Sequence, residues 1–304
     1  MEKEARKNHE KAGELWKKAE KKARQLLKPG VSLLKMVEEL EGFILEQIKE
    51  EKLEGGLAFP VNLSLNNVAA HATPGIEEKT ELKQSDLLKV DIGIHVNGFI
   101  ADGAFSYNAS NEFAKMIESN EKALQEALSA IKPGIEIQKI GETVEAIAEK
   151  NGFKVIENLT GHGLEQFVQH ASPQIPNVRN SSKQKLEDGM AFAIEPFFTN
   201  GRGFVADSNQ TEIFSLEEKK SVREPNARKI LEIVEKHFPK LPFAERQLAK
   251  RLSLSELQRK IGLRELTKNK ILHSYPFLQE QKNAVVSQAE KTVIVDGEEV
   301  VVIN

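Results

Sequence analysis

Residues 87–102 read Leu-Leu-Lys-Val-Asp-Ile-Gly-Ile-His-Val-Asn-Gly-Phe-Ile-Ala-Asp. Leu87–Ile94 and Phe99–Asp102 have strand character. Asn97-Gly98 between them is the strongest short hairpin signal, because both central residues of such a turn take positive φ. A two-residue loop there sets Gly93 opposite Asp102. Asp91 then projects from the same sheet face as Asp102, its diagonal neighbour at ~7–8 Å along the backbone. Two carboxylates among Val, Ile and Phe repel unless something positive lies between them. A pair of divalent ions ~3.5–4 Å apart fits that span; the alternative is a sheet face turned to water.

Outward from the hairpin, the chain repeats itself at an offset near 104 residues. Residues 1–27 carry Ala12, Leu15, Trp16, Ala19 and Ala23 at helical spacing. Lys28-Pro29-Gly30 breaks that helix, and a second runs from Leu33 to about Ile48. Helices at 112–131 and 137–150, split by Lys132-Pro133-Gly134, repeat the pattern. His71-Ala72-Thr73-Pro74 recurs as His170-Ala171-Ser172-Pro173, and Gly98–Asp102 as Gly203–Asp207. Asp91 falls on Glu195. Two helix–helix–strand halves of this kind form one α+β core with strands at the centre and helices outside, and equivalent acids face each other across the axis. Residues 217–273 do not fit the repeat and read as a helical insert, with a helix–turn–helix-like stretch from Leu252 to Leu272. Strand character returns at 284–304, where Asp296-Gly297 turns a last hairpin.

Composition narrows the chemistry. The 304 residues contain no cysteine, which excludes disulfides, thiolate metal sites, iron–sulfur clusters and a cysteine nucleophile. No apolar run reaches the ~18 residues of a membrane span and the N-terminus has no apolar signal core, so a cytoplasmic protein without a membrane partner is expected. The balance of 43 basic and 46 acidic residues argues against a dedicated nucleic-acid binder. It is an average: the insert carries 15 Lys/Arg against 8 Asp/Glu, which leaves the remainder acidic. Metal or hydrolytic chemistry must come from His, Asp, Glu, Ser, Thr or Lys. Glu195 lies in the apolar run Ala-Phe-Ala-Ile-Glu-Pro-Phe, where a lone carboxylate is costly to bury. Glu290 opens another apolar run, and His162 stands between two glycines that leave room around its ring. Four carboxylates and an imidazole suit Mn, Fe, Co or Zn, and their charge balances two divalent ions.

Phe59-Pro60, Ala70–Pro74, Val90–Gly93, Phe99–Asp102, Gly161-His162, Gln169–Ala171, Ile194–Phe197 and Gln288–Glu290 together resemble type II methionine aminopeptidases of archaeal size. The resemblance covers essentially the whole chain. It implies the two-halved pita-bread (creatinase/aminopeptidase) fold, with residues 1–216 and 274–304 as the catalytic domain and 217–273 as the inserted helical subdomain. It implies two divalent metal ions held by Asp91, Asp102, His162, Glu195 and Glu290. A water or hydroxide shared by the metals would attack the first peptide bond of chains that begin with Met and have a small second residue. His71 and His170 would contact the substrate, Glu195 would carry the proton to the leaving amine, and Phe59 and Tyr275 would lie at the methionine pocket. His9, His95, His237 and His273 have no comparable setting. Departures are Gln169 where the family is apolar, no glycine after His170-Ala171, and Lys291 where a histidine is common. The resemblance favours a monomer, and the basic insert suggests transient contact with the ribosome. Two other readings are an X-Pro aminopeptidase or prolidase of the same fold, and a metal-free nucleic-acid-associated protein of that fold. The short segment before the first strands and the insert speak against the former, and the five retained ligands against the latter.

Overall fold

Helices α1 (Lys3–Leu26) and α2 (Leu33–Glu50) open the chain in the computed structural model, which describes all 304 residues. The apolar stripe of α1 (Ala12, Leu15, Trp16, Ala19, Ala23) is fully turned inward. Its Trp16 indole N–H donates to the Ile92 carbonyl at 2.9 Å, so the helix is pinned across the central hairpin as well as packed on it. Gly30 takes φ +84° at the break, and the Ser32 hydroxyl caps α2 by accepting from the Lys35 amide.

Three short strands follow, β1 (Gly55–Leu57), β2 (Asn62–Leu65) and β3 (Val68–Ala70), and then the hairpin β4 (Leu87–Val96) and β5 (Phe99–Asn108). Gly93 pairs with Asp102, and Asn97 and Gly98 have φ +50° and +85°, as the sequence predicts. Both strands run further than their sequence signal. The second half begins with α3 (Ala114–Ala130) and α4 (Gln138–Asn151). It continues through β6 (Lys154–Val155), β7 (Thr160–Glu165), β8 (Val168–Pro176), β9 (Ala191–Ile194) and β10 (Phe197–Thr199). The next strand, β11 (Ala206–Leu216), leads to α5 (Pro225–His237), β12 (Phe243–Ala244), α6 (Glu245–Ala249) and α7 (Glu256–Lys268). The chain returns along β13 (Leu272–Gln279) and closes with β14 (Val286–Gln288), β15 (Lys291–Asp296) and β16 (Glu299–Val302).

The duplication is written in the backbone. Ser32 bridges Glu81, and 104 residues on Glu136 bridges Lys185. The Gly30 amide donates to Leu82 at 2.7 Å and the Gly134 amide to Leu186 at 2.8 Å. Each half packs its helices on its own strands in a separate apolar cluster, one around Trp16 and Leu40, the other around Phe192 and Phe198. The halves meet where β5 lies against β15: the Glu290 amide donates to Ala104 O at 2.9 Å.

Two expectations are corrected. Gly203–Asp207 is not the second copy of the Gly98–Asp102 strand. The partner of β9 is β15, with Ile194 opposite Lys291, whereas β11 pairs with β13 and Asp207 is exposed. Residues 195–290 separate the two strands of the second hairpin in sequence, so the local echo misleads. Leu252–Leu272 holds one helix, α7, and then enters β13, so no helix–turn–helix forms there. Helices α5–α7 share a third cluster that includes Ile230, Val234, Phe243, Leu263 and Leu266.

His9 on α1 is 2% exposed, and its Nδ1 lies 2.8 Å from the Ile100 carbonyl. Burial lowers its pKa from 6.5 to about 4. A folded-state pKa below the unfolded one leaves this stabilisation intact above pH 6.5 and removes it as the pH falls toward 4. Replacing His9 with Gln, whose amide can still donate to Ile100, is expected to remove on the order of 3 kcal/mol of acid destabilisation in that window. Urea midpoints of both proteins at pH 7 and pH 4.5 measure the difference.

Candidate metal centre

The five expected ligands converge from five strands, three from within a strand and two from beside a strand end. Asp91 sits mid-β4, Asp102 on β5, His162 on β7, Glu195 just beyond β9 and Glu290 just before β15. Ligand atoms of Asp102, His162 and Glu290 all lie within 4.8 Å of one another. His162 Nε2 is 3.6 Å from Glu195 Oε1 and 3.8 Å from Asp102 Oδ2. These are not ion pairs, because burial and the neighbouring His170 lower the His162 pKa to about 3 and its ring is neutral. Its Nδ1 faces the Gly163 carbonyl at 3.3 Å, which leaves Nε2 as a lone pair aimed among the carboxylates.

The glycines beside His162 serve a different purpose from the one expected. A Cβ on Gly161 would lie 2.2 Å from the Ala193 carbonyl oxygen, and one on Gly163 2.1 Å from that of Ser172. They let neighbouring strands close in; they do not clear space for the ring. Gly93 has the same logic on the other wall, where a Cβ would lie 2.1 Å from the Phe59 ring.

Electrostatics make the carboxylate cluster unstable by itself. Burial pushes Asp91 up to about 7. Asp102, Glu195 and Glu290 are driven well above their ordinary range by burial first and mutual repulsion second. No Lys or Arg forms an ion pair with any of the four, and Asp91 Oδ1 and Asp102 Oδ1 are buried with no hydrogen-bond partner. Orphaned carboxylate oxygens, an imidazole lone pair and no side-chain cation form a donor set that fits divalent metal ions.

The remaining expected residues line the same cavity of about 280 Å³: Phe59, His71, His170 and Tyr275 share it with all five ligands. His71 follows β3 with φ +64°, and its Nδ1 is 3.2 Å from the Pro276 carbonyl. Its ring packs edge-on against Tyr275 at 5.6 Å, and that of His170 packs on His162 at 4.6 Å. Burial lowers the pKa of His71 to about 4, whereas His170 stands at the exposed edge of the cavity. Gln169 also faces the cavity, and its amide donates to Asp102 Oδ2 at 3.4 Å. Lys291 turns away, over the Trp16 ring. His273 is closer to the site than its sequence setting suggests, with its ring 4.7 Å from that of Tyr275.

Some supporting residues carried no assigned role in the sequence reading. Gln288 Nε2 reaches Glu195 Oε2 at 3.5 Å and Glu290 Oε2 at 3.4 Å; alternation along the strand toward Glu290 was the available signal. Thr292 exchanges 2.8 Å hydrogen bonds with the Asp102 backbone, and the Asn304 amide donates to the Asp102 carbonyl at 2.7 Å. Sequence distance hides these two.

The matching family pattern, over residues 7–237, is metallopeptidase family M24. This chain belongs to that family. Within it, the chain stands with the type II methionine aminopeptidases: it is 41% identical over 292 residues to the methionine aminopeptidase of Pyrococcus abyssi, covering 96% of each chain. Among solved structures it is similar to a thermophilic Arx1 (TM-score 0.88, 17% identity, all of this chain and 91% of that one). It is also similar to the methionine aminopeptidase of Rickettsia prowazekii (TM-score 0.70, 18% identity, all of this chain and 98% of that one). Both structures share the pita-bread fold.

Stripped by a chelator and titrated calorimetrically with Mn²⁺ or Co²⁺, the protein is expected to take up two ions per chain. Asp102→Asn should weaken that uptake by at least the ~10–100-fold typical of losing even a supporting residue at a metal site.

Proposed function

We propose that this protein removes the N-terminal methionine from peptides and nascent chains with a small second residue, acting as a cytoplasmic monomer. The observation that carries the reading is the buried, cation-free cluster of four carboxylates and one neutral imidazole at the wall of an aromatic cavity, in a chain of this family. Residues 1–216 and 274–304 form the catalytic unit in this reading, and 217–273 the inserted subdomain.

Asp91, Asp102, His162, Glu195 and Glu290 would hold two divalent ions. Bound there, such ions supply Lewis acidity, which acidifies water and polarises a carbonyl. The protein's own residues do the rest. Glu195 accepts the proton of the attacking water and passes it to the leaving amine. His71 is neutral near pH 7, and with its Nδ1–H on Pro276 O its Nε2 is left as an acceptor for the scissile amide N–H. His170, on the cavity wall, donates to the oxygen that gains charge as the carbonyl becomes tetrahedral. Phe59 and Tyr275 offer an apolar wall to an unbranched side chain. Gln169 adds a polar point to that wall.

The charge distribution of the insert supports transient contact with the ribosome. Of its 15 basic residues only Arg246 and Arg259 are buried, and the others remain exposed. The expected association weakens steeply as salt rises. Co-sedimentation that is absent, or is unchanged between low and high salt, overturns that part of the reading.

The main reading is tested with metal-reconstituted protein and Met-Ala-type peptides. Free methionine should be released, and Asp91→Asn should abolish the release. His170→Ala should lower kcat by roughly 10²–10³, the usual effect of losing an oxyanion donor. Preferential cleavage of X-Pro peptides would reject the reading in favour of the X-Pro peptidase alternative.

A further inference from the structure

Arg246 is among the largest fully buried side chains of the protein, 1% exposed, yet it belongs to α6 of the insert and does not line the cavity. Its Nη1 donates to Thr73 Oγ1 at 2.6 Å and to the Pro74 carbonyl at 3.1 Å, and its Nη2 donates to Glu41 on α2. Thr73 in turn donates to the Val61 carbonyl at 2.7 Å, and the Val61 amide donates to Glu41 Oε1 at 3.1 Å. The ring Arg246–Glu41–Val61–Thr73 is therefore closed. It grips the chain two residues after Phe59 and two residues after His71, both cavity-lining.

His71 itself has positive φ, a conformation that only its surroundings can enforce. It is held from the other side by the Pro276 carbonyl of β13. Both grips come from the segment that leaves the catalytic core at β11 and returns on β13.

We propose that Arg246 is a positioning residue for His71: through Thr73 and Pro74 the insert sets the height and angle of that histidine over the metal centre. The proposal rests on the reading of His71 as a substrate-contacting residue. Glu41 is the buried counter-charge that makes the position tolerable, because burial pushes its carboxyl up and Arg246 opposes that push. Lysine preserves the charge but not the fork that reaches Thr73, Pro74 and Glu41 together.

The test is a mutant cycle on the metal-reconstituted full chain. It uses Arg246→Lys and, to avoid an orphaned buried charge, the pair Glu41→Leu/Arg246→Met. Each is measured for kcat and KM on a Met-Ala peptide, with wild-type His71 and with His71→Ala. With His71 present, the pair should lower kcat roughly a hundredfold, the scale of a 1 Å misplacement, and the lysine variant should keep part of the rate. In the His71→Ala background the same changes should have almost no further effect. Equal losses in both backgrounds would show a merely structural role and overturn the proposal. A second measurement uses histidine-ring NMR of the metal-free protein. The His71 ring resonances should shift in the Arg246 variants while those of His9 stay in place; unmoved His71 resonances overturn the proposal. A wild type that releases no methionine, or a His71→Ala protein with unchanged activity, would instead reject the underlying reading.

Discussion

Four carboxylates share one cavity with no lysine or arginine between them, and the rest of the structure is organised by that repulsion. Each group taken from water without a partner is disfavoured as an anion, and each further carboxylate raises the cost for the others. Side chains on loops would swing apart to reach solvent. Here they sit on or at the ends of paired strands, and the Asp102 backbone is clamped by Thr292 and Asn304 from across the seam. Rigidity of this kind is what a metal centre requires, because the donors must be in place before the ions neutralise them. Gln288 and Gln169 soften the repulsion with amide donors but add no charge.

The duplicated architecture explains how two pairs of acids arrive at one point. Each half places its two carboxylates on, or right at the ends of, two antiparallel strands, Asp91 and Asp102 in the first and Glu195 and Glu290 in the second. The halves then meet through β5 and β15. Neighbouring strands of one sheet leave no room for a Cβ at Gly161 or Gly163, and the Phe59 ring leaves none at Gly93, so glycine stands beside the expected ligands.

Much of this was legible in the sequence, because it depends on local rules. A two-residue Asn-Gly turn has one register, so the opposition of Gly93 and Asp102 follows from adjacent residues. The helix breaks at Pro29-Gly30 and Pro133-Gly134 carry the repeat. What depended on distant pairing was not legible. Phe204-Val205-Ala206-Asp207 copies the letters of the first hairpin but belongs to the β11–β13 sheet, while the true second strand lies beyond the insert. The glycines flanking His162 stand out in the sequence but their purpose does not, because the carbonyls they admit come from β8 and from β9. Gln288, Thr292 and Asn304 had alternation or nothing to mark them.

The insert shows the same limit from the side of charge. Its surplus of basic residues reads as one solvated surface, yet Arg246 and Arg259 are internal, committed to Glu41 and Glu245. A guanidinium that is buried, paired and forked is a different object from an exposed lysine of equal charge: removing it leaves a stranded carboxylate and two loose backbone segments. Since those segments carry Phe59 and His71, the inserted helices are continuous with the cavity wall. A charge count over residues 217–273 therefore mixes surface for partners with struts for the site, and only the fold separates them.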